Sequence, residues 1–234
     1  MTRSLTVLLA LVALAMFPAA LDEAKAMPHT PAARPPVAAP IPTTTSASPP
    51  ATAPSGPTTI AVVGDSILMQ SWQQVHGSLS SGGYVPEMVA RPASGLAFTA
   101  FFDWDAELRR LDAAVRPDQL VVQLGTNDLG YPGFYESGAA VGFVMRTTSA
   151  RRVVWVLPSA DPGRPDRQPN MERIRVALQD QASDGPYADR LDVVDFGRSV
   201  AAVPGTMEAD LVHVTPYGAQ LLADLVRAGV DASP

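Results

Sequence analysis

The hydrophobic pattern changes character at Thr58. From there on, short aliphatic and β-branched runs alternate with longer stretches whose apolar residues recur at helical spacing. The runs predict strands at Thr59–Val63, Val85–Ala90, Gln119–Leu124, Arg152–Leu157 and Leu191–Asp195. The spacing predicts helices near Leu68–Ser80, Asp105–Val115, Ser137–Ser149, Met171–Ala182 and Pro216–Ala228. Asp103 and Asn170 precede two of these helices, and Thr215-Pro216 sets a cap residue before a proline at the first helical position. Apolar strands joined through helices by short connections imply an α/β fold, with a mainly parallel five-stranded sheet covered on both faces. Trp155, inside the run Val153–Leu157, is expected in the core.

In such a sheet, ligands bind beyond the carboxyl ends of the strands. The first strand ends abruptly in Gly64-Asp65-Ser66, which leaves a hydroxyl at its tip, as a helix cap or as a nucleophile. Gly95 follows the second strand and Asn127 the third; Asp210 and His213 lie in the loop before the last helix. The topology therefore brings four separated segments to one edge. A nucleophilic serine needs a base, and the base needs a group to hold its tautomer. In Asp210-Leu211-Val212-His213 the carboxylate can reach Nδ1–H and leave Nε2 for a serine hydroxyl. The other histidine beyond Thr58, His76, falls late in the first helix and reads as a surface residue. Acyl transfer also needs donors for the developing oxyanion, and the Gly95 N–H and the Asn127 side-chain amide are candidates. Turn roles are the ordinary alternative for both. Asparagine is rare here, Asn170 being the only other one.

Composition narrows the field. The net charge of −6 over 234 residues gives no basic footprint for nucleic acid. The absence of cysteine excludes disulfides, thiolate nucleophiles and thiolate metal sites. No cluster has metal-ligand spacing, so neither a metal nor another cofactor is expected. Residues 1–26 carry a positive start, the apolar run Leu5–Phe17 and small residues around Ala26, the layout of a cleavable export signal; an uncleaved anchor is the other reading. Residues 27–57, rich in Pro, Ala, Thr and Ser, read as a semi-extended linker, and 58–234 as the folded domain. Near the expected site edge, Leu96–Trp104 and Tyr131, Phe134 and Tyr135 offer aromatic surface for a sugar ring or a short acyl chain. Arg91, Arg164 and Arg167 are candidates for recognising an anionic substrate.

Together, Gly64-Asp65-Ser66-Ile67, Gly95, Gly125-Thr126-Asn127-Asp128 and Asp210-Leu211-Val212-His213 resemble the four blocks of the SGNH or GDSL-type serine esterases and acylhydrolases, in that family's order. The resemblance implies a flavodoxin-like, three-layer α/β/α fold. It implies Ser66 as nucleophile, His213 as general base and acid, and Asp210 as the orienting carboxylate. It adds the backbone N–H of Ser66 to Gly95 and Asn127 as the oxyanion hole, and it requires no metal. Asp65 and Asp128 match motif positions and are expected to brace loops. Two departures stand out: Val214 follows the histidine where the family often has proline, and the opening block is the short form rather than the lipase-like one. The resulting expectation is an exported esterase acting on small acyl esters, such as acetyl groups on cell-envelope carbohydrate. An O-acyltransferase with the same triad, or a non-catalytic envelope-binding domain, are the alternatives.

Overall fold

The computed structural model describes residues 58–159 and 166–232. The expected export signal, the linker and Arg164 lie outside the described residues. In chain order the elements are β1 (Thr59–Gly64), α1 (Ser66–Gln70), α2 (Trp72–Ser81), β2 (Val85–Ala90), α3 (Trp104–Val115), β3 (Gln119–Gln123), α4 (Pro132–Glu136), α5 (Ala139–Thr147), β4 (Arg152–Val156), α6 (Gln168–Asp184), β5 (Leu191–Val194), α7 (Phe196–Ala202) and α8 (Pro216–Ala232). All five expected strands form, and every pairing is parallel. The sheet order is β2-β1-β3-β4-β5, the flavodoxin-like arrangement.

The period-two alternation of the strands divides the core between two faces. Ala61, Val63, Leu120, Val122, Val153 and Trp155 pack against α3, α5 and α6, with Tyr135 of α4. Ile60, Val62, Val121, Val154 and Val156 pack against α1, α2, α7 and α8. Trp155 is fully buried, and its indole N–H donates to the Leu124 carbonyl at 3.1 Å. Because the chain leaves β1 in one direction to build β2 and returns to the other side at β3, the carboxyl ends of β1 and β3 flank the crevice where strand order reverses.

Three local expectations need correction. The first helix is not continuous over Leu68–Ser80: it begins at Ser66 and breaks at Ser71. The buried Ser71 shares its N–H between the carbonyls of Ile67 and Leu68, and the axis restarts behind it. Asn170 does not precede α6 but lies inside its first turn. Pro169, with its φ preset for a helix start, lets the helix begin at Gln168. Asp195, expected to end the last strand, instead caps α7 through the Arg198 N–H at 2.8 Å. That helix and α4 are too short to show a helical period in sequence. The Asp103 and Thr215 caps form as expected, accepting from Asp105 and Ala106 and from Gly218 respectively.

Candidate active site

Ser66 begins α1 immediately beyond β1. It is not the helix cap: Asp65 holds that position, its Oδ1 accepting the Ile67 N–H at 2.9 Å. The Ser66 hydroxyl is thereby released from capping. The close passage from strand to helix requires a residue without a side chain at 64, since a Cβ on Gly64 would lie 2.6 Å from Leu68 Cβ.

The loop before α8 brings its histidine to this serine. Ser66 Oγ lies 3.1 Å from His213 Nε2, and His213 Nδ1 lies 2.6 Å from Asp210 Oδ2. The carboxylate fixes the ring proton on Nδ1, so Nε2 accepts from the serine hydroxyl. Asp210 Oδ1 accepts the N–H groups of Val212 and His213 at 3.0 and 2.9 Å, with Leu211 in the left-handed region at φ 56°. The backbone N–H of His213, its imidazole and the Val212 N–H hold the Asp210 carboxyl down at about 2. Gln70 of α1 ties this loop to the serine's own helix, its Oε1 accepting from the Val214 N–H at 3.2 Å.

The other two segments close around Asp65 and Asp128, both fully buried. Asn127 Nδ2 donates to Asp65 Oδ2 at 3.1 Å and to the Ser94 carbonyl at 3.0 Å. Both of its amide hydrogens are therefore engaged within the protein. Asp128 accepts the N–H groups of Leu96, Ala97 and Phe98 at 2.9, 3.0 and 2.9 Å, and the Tyr135 hydroxyl at 2.5 Å. Gly95 lies under this carboxylate, and a Cβ there would meet Asp128 Oδ1 at 2.1 Å. Burial pushes the Asp65 carboxyl up to about 7, with the nearby Asp128 charge adding to the effect and the Ile67 N–H and the Gln123 amide opposing it. Burial and the Asp128 charge raise the Tyr135 hydroxyl well above the usual phenol range.

The structure thus assembles Ser66, His213 and Asp210 in one hydrogen-bonded relay, with Asn127 bonded to the carboxylate beside Ser66. Asp65 and Asp128 brace loops as expected. His76 is exposed, midway along α2. Several aromatics do not serve the surface role envisaged for them. Trp104 and Tyr135 are buried, Trp104 donating to Ser94 Oγ at 3.1 Å, whereas Phe101 and Tyr131 are exposed. Arg91 is occupied, its guanidinium 5.0 Å over the Phe102 ring and bonded to the Ala90 carbonyl. Arg167 helps to line a cleft of about 320 Å³ beside Asn127, with Asp166, Asn170 and Leu129.

Two supporting residues escaped sequence reading. Gln123 ends β3 almost wholly buried, and its Oε1 accepts the N–H groups of Asp65 and Leu68 at 3.3 and 3.1 Å, fixing the turn that carries Ser66. A lone amide at the end of the run Leu120-Val121-Val122 was its only signal. Ser94 joins the two sides through its carbonyl and hydroxyl, and nothing in the sequence marks it.

Comparison with known proteins agrees with this architecture. Residues 59–146 match a family model described as Protein of unknown function (DUF459). No curated protein matches the chain. Among solved structures, the catalytic domain of peptidoglycan O-acetyltransferase A from Streptococcus pneumoniae is similar with a TM-score of 0.60 at 16% identity, over 76% of this chain and 94% of that one. A lipase/acylhydrolase from Enterococcus faecalis is similar with a TM-score of 0.57 at 19% identity, over 75% and 96%. An acetyl xylan esterase from Geobacillus stearothermophilus gives 0.54 at 15% identity, over 75% and 95%. The resemblance to the GDSL-type hydrolases is therefore borne out in the fold.

Proposed function

We propose that this chain, which has the fold of the GDSL-type hydrolases, is a serine esterase of small acyl esters that works through an acyl-enzyme on Ser66. The observation that carries the reading is the unbroken relay from Asp210 through His213 to Ser66, at 2.6 and 3.1 Å. In the first half-reaction His213 Nε2 takes the Ser66 hydroxyl proton while Oγ bonds to the acyl carbon and the carbonyl π pair moves to oxygen. The tetrahedral intermediate collapses as His213 returns that proton to the leaving alcohol. Water repeats the sequence and releases the acid. Asp210 stays ionised and stabilises the imidazolium. The N–H groups of Ser66 and Gly95 and the amide of Asn127 are the proposed donors to the oxyanion.

The acyl-enzyme is open to any hydroxyl, so O-acyl transfer to an alcohol shares its first half with hydrolysis. The similarity to a peptidoglycan O-acetyltransferase domain favours keeping this second reading. The export signal and linker read from residues 1–57 support an ester on cell-envelope carbohydrate as substrate. Among the described residues, no helix is long and apolar enough to cross a membrane.

A fluorophosphonate probe tests the reading. The modified peptide is expected to contain Ser66, and Ser66→Ala should neither label nor hydrolyse p-nitrophenyl acetate while its circular dichroism is unchanged. Wild-type protein that stays unlabelled and inactive overturns it and leaves the scaffold alternative standing, and a Ser66→Ala variant that hydrolyses as fast as wild type overturns the assignment of Ser66 as nucleophile.

A further inference from the structure

Asp65 is more than a helix cap. Capping uses one oxygen, Oδ1 on the Ile67 N–H, and Asn or Ser would cap about as well. A fully buried carboxyl is a costly choice where a neutral side chain would do. Among the described residues no arginine or lysine pairs with it, and the titratable groups facing it are Asp128, Tyr135 and His213. Its second oxygen, Oδ2, meets Asn127 Nδ2 at 3.1 Å. An ionised carboxylate can only accept, whereas a carboxamide presents either end with little change of shape. Facing a carboxylate, the Asn127 side chain must turn its NH2 end inward. Rotated by half a turn, it would offer Oδ1, an acceptor that repels a developing oxyanion.

We propose that Asp65 is the positioning residue of Asn127: one amide hydrogen is held on Asp65 Oδ2, and the other is released by the Ser94 carbonyl to the oxyanion of the substrate. This rests on the acyl-enzyme reading above. The Ser94 bond, at 3.0 Å to a neutral carbonyl, is the one that an oxyanion can replace. The Asp65 bond persists and keeps the amide from turning. Ionisation of Asp65 strengthens that hold. With burial placing its pKa at about 7, the Asn127 amide should feel its titration.

The test uses Asp65→Asn and Asp65→Ser, which both retain a capping side chain and remove the carboxylate. On p-nitrophenyl acetate, kcat is expected to fall by roughly 10- to 100-fold with KM unchanged, approaching the cost of losing an oxyanion donor. In an Asn127→Ala background, Asp65→Ser should cause no further loss. A purely structural role predicts multiplying losses and overturns the proposal. A second readout is independent of turnover. The chain has two asparagines, Asn127 and Asn170, so protein labelled with 15N-asparagine gives two side-chain amide pairs. The pair lost in Asn127→Ala should shift in wild type with a midpoint at about 7, should still do so in His213→Ala, and should cease to do so in Asp65→Ser. A wild-type pair that neither responds between about pH 5 and 9 nor moves when Asp65 is replaced by serine overturns the proposal by itself. If instead Ser66→Ala remains fully active, the acyl-enzyme reading on Ser66 fails while the amide titration still reports on Asn127.

Discussion

Replacing Gly95 by alanine probes the joint on which the second loop is hung. An added Cβ would lie 2.1 Å from Asp128 Oδ1, 2.6 Å from Cγ and 3.0 Å from Oδ2, so the carboxylate must withdraw by more than an ångström to reach ordinary contact at about 3.5 Å. Asp128 cannot retreat freely, because it accepts three successive backbone N–H groups and the Tyr135 hydroxyl. Bonds to an ionised acceptor are worth about 1.5–3 kcal/mol each. Weakening one or two of them gives an expected loss of about 2–4 kcal/mol, or roughly 5–15 °C in Tm for a domain of this size. Activity should fall further than stability accounts for, because moving the Gly95 N–H, a proposed oxyanion donor, by about 1 Å would cost on the order of a hundredfold. The measurements are calorimetry and kcat on p-nitrophenyl acetate at a temperature where the variant is folded. Gly77→Ala is the control: it lies inside α2 with nothing within 4 Å of its added Cβ, and should stabilise by about 0.5–1 kcal/mol. The steric origin is checked in an Asp128→Ala background, where Gly95→Ala should cost much less. An unchanged Tm in Gly95→Ala, or an equal cost in both backgrounds, would refute the reasoning.

Three other perturbations bear on the same groups. Folding holds the Asp210 carboxyl at about 2, below its usual 3.8, so its contribution is present above pH 4 and is lost as pH falls from about 4 to about 2. The Tm advantage of wild type over Asp210→Asn should shrink in that window, modestly because the carboxylate is half exposed; a constant difference down to pH 2 would contradict it. Asp65 has the opposite sign: raised from 3.8 to about 7, it binds its proton more tightly folded than unfolded, so wild type should lose stability relative to Asp65→Asn as pH rises from about 4 to about 7. Parallel melting curves for the two proteins across that range would count against the assignment. Gln123→Leu leaves the buried N–H groups of Asp65 and Leu68 without their side-chain acceptor and should cost about 1–3 kcal/mol in urea unfolding, with a fall in kcat; a neutral result would remove Gln123 from the support of the serine turn.

The fold was legible because its signals are local. Strands buried on both faces appear as apolar runs, and the five runs here, separated by longer amphipathic stretches, admit few arrangements other than a parallel sheet between helices. The errors arose where the deciding interaction is not local in sequence or the element is short. Nothing in Leu68–Ser80 announces the break at Ser71, which arises where Gln70 turns to meet Val214 across the site. Tyr135 reads as a surface aromatic because its context is polar and glycine-rich, yet its hydroxyl is drawn inward by Asp128. The strand-end positions of Ser66, Gly95 and Asn127 followed from topology, and the Asp-x-x-His spacing was enough for the Asp210–His213 bond. The 3.1 Å contact between His213 and Ser66 is different in kind. It depends on where α8 docks on the sheet, which no spacing specifies.

What the residue types do reveal, once placed, is a division of labour among four acidic side chains and amides that would look alike in a motif. Asp210 is half exposed, bonded to two backbone N–H groups, and charged over nearly the whole pH range, as the partner of an imidazolium must be. Asp65 is fully enclosed and close to neutral pH in its titration, which suits a group that fixes an amide but would make a poor permanent counter-ion. Asp128 meets only donors, and the loop it gathers is the one that carries Gly95. Gln123, neutral, can sit at 2% exposure beside Asp65 without adding a second charge to the turn, which a glutamate there would do. Exchanging any of these for its isosteric neighbour keeps the shape and alters the charge or the donor pattern. The site's chemistry therefore depends on which oxygen or nitrogen stands at each position.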